Sequence, residues 1–206
     1  MAQRSIKLAE LENSKVKELL RRTKLTTKSR YRANERLSTH QKVSQWTVAF
    51  ISAALVFIPL FQAYGVELTI SDQLLNSFQA ILAVMVLVYS LLLGQENFVS
   101  RAEAMHRNGV ELGKFARKLR GLPEDYEAYD ELVEEYYDIL EKYENHKPVD
   151  YLFTRLHYKP EKWQDWPEYL WLYVRAQFFM WLGYTHYIVA ISFVTYVFYY
   201  LFSNIK

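Results

Sequence analysis

Residues 46–64 read WTVAFISAALVFIPLFQAY, 19 positions without one Asp, Glu, Lys, Arg or His. Residues 74–93, LLNSFQAILAVMVLVYSLLL, repeat that character over 20 positions. About 20 apolar residues at 1.5 Å rise cover a hydrocarbon core of about 30 Å, so each stretch is long enough to cross a bilayer as a helix. Neither keeps the polar face that a helix in water needs, which argues against a buried helix pair in a soluble domain. Only nine residues, Gly65 to Gln73, separate them, so the two form an antiparallel hairpin.

A third apolar stretch is less clean. Tyr187 to Phe202 is 16 residues with four tyrosines, and before it Tyr169 to Leu182 is aromatic but interrupted by Arg175. Trp and Tyr favour the headgroup zone, and a lone Arg snorkels there. Residues 161–206 are therefore expected to hold an aromatic interfacial segment (Trp163 to about Leu182) and a third span at about 186–202. A helix lying in the interface throughout is the alternative.

The global numbers hide this bunching. Charged residues make 23% of the chain and the formal net charge is +2. Residues 1–45, however, carry 12 Lys+Arg against 4 Asp+Glu, while the hairpin turn has Glu67 and Asp72 and no basic residue. The positive-inside bias places the N-terminus in the cytoplasm and the turn outside. The chain has no cysteine, which excludes disulfides, thiolate metal sites and a Cys nucleophile. No signal peptide is read at its start.

Residues 1–45 form a basic cytoplasmic helix with a thin apolar stripe, Ile6, Leu8, Leu11, Val16, Leu19 and Leu20, continued by Leu25, Tyr31 and Leu37. Such a stripe needs a partner. Its cations, Arg21, Arg22, Lys24, Lys28, Arg30, Arg32 and Arg36, would suit an anionic ligand, a nucleotide or nucleic acid. Topology signalling and attraction to anionic headgroups, about 1 kcal/mol per basic residue near the surface, explain them more simply. No phosphate-cradling Gly-rich loop accompanies them.

Residues 94–160 make a cytoplasmic helical region. A helix from Gln95 to about Leu119 uses Phe98, Ala102, Met105, Val110, Leu112 and Phe115 for packing and stops at Gly121-Leu-Pro123. An acidic helix follows over 126–143, with Leu132, Val133, Tyr136, Ile139, Leu140 and Tyr143 at helical spacing. Glu124, Asp125 and Glu127 suit its positive N-terminal end. Acidic and basic helices are expected to pack together, within one chain or between neighbours. The fold class is all-α: a membrane hairpin with long cytoplasmic helical extensions and an aromatic C-terminal third span or interfacial helix.

The search for chemistry finds no catalytic residue, no cofactor site and no metal site. Histidines 40, 106, 146, 157 and 186 are scattered without metal-ligand spacing. Neither Gly-x-Ser-x-Gly nor His-Glu-x-x-His occurs. Inside the hairpin, Thr47, Ser52, Gln62, Asn76, Ser77, Gln79 and Ser90 seek partners in hydrocarbon. Ser52, Gln62, Ser77, Gln79 and Ser90 are the candidate pore or helix-contact residues, contact within one hairpin being the plainer role. Pro59 is expected to kink the first span.

The order of these segments resembles a known family. Ser29-Arg-Tyr-Arg-Ala-Asn-Glu-Arg-Leu37 lies in the basic helix, then come two close spans, Asn97-Phe-Val-Ser-Arg-Ala-Glu-Ala-Met-His106, and Tyr137-Asp-Ile-Leu-Glu-Lys-Tyr-Glu-Asn-His146 with Asp150-Tyr151-Leu152. Over residues 20–155 this resembles the SLATT family of membrane effectors in prokaryotic nucleotide-signalling and antiviral systems, above all the subfamily found beside reverse transcriptases. The resemblance implies a homo-oligomer in the inner membrane that forms a pore or disrupts the membrane. A partner, a reverse transcriptase or nucleotide-signalling protein encoded nearby, would trigger it, and the infected cell dies or arrests as in abortive infection. Candidate structural or partner-binding positions are Arg30, Arg36, Asn97, Arg101, Glu103 and His146. The alternative is a non-conducting membrane scaffold that recruits a cytoplasmic enzyme through residues 95–150.

Overall fold

In the computed structural model, residues 15–67, 69–123 and 126–205 are described. Ile6, Leu8, Leu11, Glu124 and Asp125 lie outside them. Six α-helices occur among the described residues: α1 (Lys15–Ala63), α2 (Asp72–Glu96), α3 (Phe98–Arg120), α4 (Tyr129–Glu141), α5 (Pro148–Leu156) and α6 (Trp166–Ser203). A 3-10 turn at Trp163–Asp165 precedes α6, and no β-strand occurs among the described residues. The fold is all-α.

Local chemistry accounts for where the helices begin and end. Near the start of α1 the Glu18 carboxylate accepts from both Arg21 (2.7 Å) and Arg22 (2.8 Å), which holds it well below the usual carboxylate range, at about 2. The helix runs through Pro59 and closes on a left-handed Gly65 (φ 69). There Gly65 N donates to Gln62 O and Val66 N to Phe61 O, the paired bonds that satisfy a helix's last carbonyls and that need a residue tolerant of positive φ. Ser71 caps α2 by accepting from Leu74 N. The sequence predicts an uninterrupted run after the second span. Instead Asn97 is left-handed (φ 42, ψ 48) and separates α2 from α3. Asn adopts that conformation more readily than other residues with a side chain. At the far end, Trp163–Leu182 and 186–202 are not separated by a break, because no Pro follows Pro167 and the helix accommodates Gly183.

The chain divides into two units. One comprises residues up to Leu37 with Ser100–Phe179. Its core is built from Val16 and Leu19 of α1, Leu112, Phe115 and Leu119 of α3, and Leu132, Tyr136 and Ile139 of α4. Each set repeats at three and four residues, the spacing of one helix face. The basic and acidic helices thus meet inside one chain through apolar residues. Gly109 of α3 sits against Tyr31 so closely that a Cβ there would meet Cε1 of the ring at 2.9 Å.

The other unit comprises Ser38–Val99 and the chain from Met180 onward. Its core is a seam of Ile51, Ala54 and Ile58 from α1, Leu75 and Leu82 from α2, and Ala190, Val194, Val197 and Leu201 from α6. Much of the surface outside that seam is also apolar: Phe57, Leu60, Ile81, Val84, Leu87, Leu91, Val189 and Phe202 are all exposed. A water-soluble unit would place polar residues there; a helix apolar on every side belongs in lipid. Three helical stretches, Lys15–Ala63, Asp72–Arg120 and Trp163–Ser203, are long and apolar enough to cross a membrane. Aromatic residues crowd one end of the unit: His40 stacks on Tyr184 (centroids 4.3 Å apart) and on Phe98 (5.5 Å), and Tyr89 OH donates to His186 O at 2.7 Å. At the other end Thr69 N donates to Asn204 O at 3.0 Å, tying the hairpin turn to the end of α6.

Candidate functional site

The first unit contains a buried polar cluster centred on α1. Its helical repeat carries Ser29, Arg30 and Arg36 away from solvent, although three cationic or hydroxyl side chains are costly to desolvate. Each is met by an acceptor from another element. Arg36 reaches Asp150 of α5 with both arms of its fork, Nε to Oδ1 at 2.8 Å and Nη2 to Oδ2 at 3.0 Å. Planar two-bond pairing of this kind fixes geometry as well as charge. Asp150 is only 2% exposed, and Oδ2 accepts a further bond from Lys147 N, closing the start of α5 after Pro148. Ser29 Oγ bonds Thr154 Oγ1 at 3.1 Å, and Thr154 in turn bonds Asp150 O.

Six residues before Arg36 on the same helix, Arg30 is also 2% exposed. Its Nη1 donates to Glu144 O and lies 3.5 Å from Met105 Sδ. The Glu144 carboxylate takes Arg101 of α3 at 2.9 Å. Asn108 of α3 donates to Ile139 O at 2.8 Å. Among the described residues, three buried side-chain atoms have no hydrogen-bond partner: Arg30 Nε, Asn108 Oδ1 and His146 Nδ1. Burial pulls the Arg30 pKa down. Burial, then the Arg30 charge, pushes His146 below its ordinary value, so its imidazole is neutral at pH 7.

Chemically this is a clamp: Arg30, Arg36 and Arg101 hold the 142–150 segment against α1 and α3. Guanidiniums are poor proton carriers, and no group of three or more His, Asp or Glu able to hold a metal occurs among the described residues. Of the positions singled out in the sequence, Arg30, Arg36, Arg101 and His146 come together here. Glu103 does not; it pairs with Arg107 on the exposed side of α3. Asn97 lies in the other unit, as the left-handed residue after α2. Sequence reasoning misses Asp150, Thr154, Ser29 and Asn108 as members. Asp150 had a readable signal, an acid three residues after Lys147 with Pro148 between, the pattern of a capped helix start.

In the apolar unit, Gln79 Nε2 reaches Gln62 Oε1 at 3.4 Å, linking α2 to α1. Ser77 donates to Gln73 O and Thr47 to Val43 O, so both hydroxyls are satisfied within their own helices. Ser52 is half-buried. Ser90 and Asn76 are exposed on α2.

A family model described as SMODS and SLOG-associating 2TM effector domain family 5 matches residues 12–201, taking in both units. No curated protein and no solved structure matches the chain. The match agrees with the resemblance carried by residues 20–155, and this chain adds to the two-span description a third helix long enough to cross. The chain belongs to the SMODS- and SLOG-associating 2TM effector domain family 5, membrane effectors of defence and conflict systems.

Proposed function

We propose that this effector acts by assembling into a homo-oligomer in the prokaryotic inner membrane and permeabilising it when a partner, a reverse transcriptase or nucleotide-signalling protein, is triggered. The observation that carries this reading is the surface of α2. Only 6% of its most apolar stretch is buried, against 22% for the stretch from Lys15–Ala63 and 28% for that from Trp163–Ser203. On that uncovered surface lie the Asn76 amide and the Ser90 hydroxyl, both within the charge-free run of residues 74–93. An amide or hydroxyl facing hydrocarbon without a partner costs on the order of 2–7 kcal/mol. Neighbouring copies, or water in a pore, would remove that cost. The basic excess of residues 1–45 and the acidic hairpin turn support a cytoplasmic N-terminus.

Liposomes carrying the purified chain provide the test. The expected result is a conductance that depends on protein density and falls at least tenfold in Asn76→Leu/Ser90→Leu, where the polar positions become lipid-compatible. Silent liposomes at every density, with membrane potential preserved in cells whose defence system has been triggered, would refute it. A scaffold that recruits a cytoplasmic enzyme predicts that silence.

A further inference from the structure

The first unit carries two charged helix surfaces, one basic and one acidic. On α1, Lys17, Arg21, Lys24 and Lys28 recur at four, three and four residues and form one side of the helix. Beside them runs a groove of about 550 Å³ lined by Lys17, Leu20, Arg21, Lys24, Leu25 and Tyr158. Tyr158 closes one end, its OH 2.9 Å from Lys28 Nζ and its ring 4.5 Å from the same ammonium. The groove is therefore cationic at its rim and apolar or aromatic inside. On α4, Glu131, Glu134, Asp138 and Glu141 recur at three, four and three residues and all are exposed. Residues 126–141 hold seven acidic side chains and no basic one. Glu134, Asp138 and Glu141 make no ion pair among the described residues. Tyr137 stands among them 52% exposed, although an aromatic side chain of that size normally finds cover.

We infer that the α4 surface of one copy docks on the α1 groove of the next, with Tyr137 inserted between Leu20, Leu25 and Tyr158 of its neighbour. The charges match in sign and in length: four cations over about 17 Å of helix face four anions over about 15 Å, at 1.5 Å per residue. The two surfaces are different parts of the same unit, so the contact is head-to-tail. Copies inserted in one bilayer with the same orientation are related by rotation about the membrane normal, and a head-to-tail contact repeated about that axis closes a ring. This rests on the homo-oligomer reading above and names its contact.

The test uses the full chain in nanodiscs or detergent, with particle mass as the readout. One variant reverses the groove (K17E/R21E/K24E/K28E) and another reverses α4 (E131K/E134K/D138K/E141K). Each alone is expected to weaken assembly at least tenfold while circular dichroism shows the helices intact. Mixed one to one, they are expected to reassemble into alternating rings, since each now offers what the other lacks. Wild-type assembly is expected to weaken steeply from 0.05 to 1 M salt, where the screening length falls to about 3 Å. Assembly of either variant alone at wild-type strength, or failure of the folded mixture to reassemble, would overturn this contact while leaving the oligomer intact. Loss of binding to RNA or to anionic vesicles in the groove variant, with assembly unchanged, would assign the groove to that anion instead. A wild-type chain that stays monomeric in every membrane tested would remove both readings.

Discussion

Replacing Asp150 by Ala removes one carboxylate that serves three donors: Arg36 Nε, Arg36 Nη2 and Lys147 N. Arg36 keeps only 14% of its side chain exposed, so the guanidinium left behind cannot turn fully to water. Breaking a buried pair from one side costs about 3–5 kcal/mol; partial exposure of Arg36 puts this case near the lower figure. A unit of this size unfolds with roughly 0.25 kcal/mol per degree of entropy, so a 3 kcal/mol loss lowers its Tm by about 12 °C. Asp150→Asn is milder, since the amide still accepts from Lys147 N and from one arm of Arg36. The assay is thermal unfolding of the full chain in detergent, followed by hydrogen exchange in α5 to assign the loss to this unit. Comparing Asp150→Asn, Arg36→Gln and the double variant isolates the pair, with an expected coupling of about 2 kcal/mol. A Tm change under about 3 °C for Asp150→Ala, or a coupling near zero, would show that the clamp does not hold α5 on α1.

Three further outcomes are expected. Gly109→Ala pushes a methyl into the Tyr31 ring and should cost about 1–3 kcal/mol, relieved by adding Tyr31→Leu; unfolding of the single and double variants measures it. Asn97→Gly should leave stability unchanged, while Asn97→Val should lose about 1–2 kcal/mol for its left-handed backbone, read in the same melts. Burial keeps His146 neutral in the folded chain, so the unfolded state binds the extra proton once pH drops below about 6.5. Stability from this group is complete above that pH and is lost as pH falls toward the lower folded value. The wild-type Tm should therefore decline between pH 7 and 5 more than that of His146→Gln; equal slopes would exclude the group.

The two long charge-free runs settled the membrane half of the fold directly, because lipid imposes a length and a composition that few other environments share. The span cores were less legible. Ile51, Ala54 and Ile58 look no different from the exposed Phe50, Val56 and Phe57 when every side is apolar, so no moment marks the inward side. In the other unit the periodicity of α3 and α4 predicted Ala102, Met105, Leu112, Phe115, Leu132 and Ile139 as buried, and they are. The clamp was half visible. Arg30 and Arg36 stood out through the family resemblance, while nothing local distinguishes them from Arg32 of the same basic run, which stays at the surface with Glu35. What separates them is a partner 114 positions away for both, Glu144 for one and Asp150 for the other. Pairing over that distance has no short-range signature.

The two units are held by different forces, and that difference bears on how an effector of this family could be switched. In water, the α1–α3–α4 core gains from burying Val16, Leu19, Leu112, Phe115 and Leu132, and the Arg36–Asp150 fork adds specificity. Among lipid chains the same kind of burial gains little, because the alternative neighbour is as apolar as the helix. The seam of Ile51, Ala54, Ile58, Leu75, Leu82, Ala190, Val194 and Val197 is then kept mainly by packing, with Gln79–Gln62, Tyr89–His186 and Tyr187–His40 among its cross-helix hydrogen bonds and Thr69–Asn204 tying the hairpin turn to the end of α6. A helix such as α2, whose most apolar stretch is the least buried of the three and whose side-chain hydrogen bond to α1 is the 3.4 Å Gln79–Gln62 contact, would exchange partners at small cost. If so, Gln62→Leu should raise resting conductance in liposomes, by freeing Gln79 for a neighbouring copy, whereas Asp150→Asn should change it less than twofold. Equal effects from the two variants would mean that the apolar seam, not the amide contact, sets the resting state.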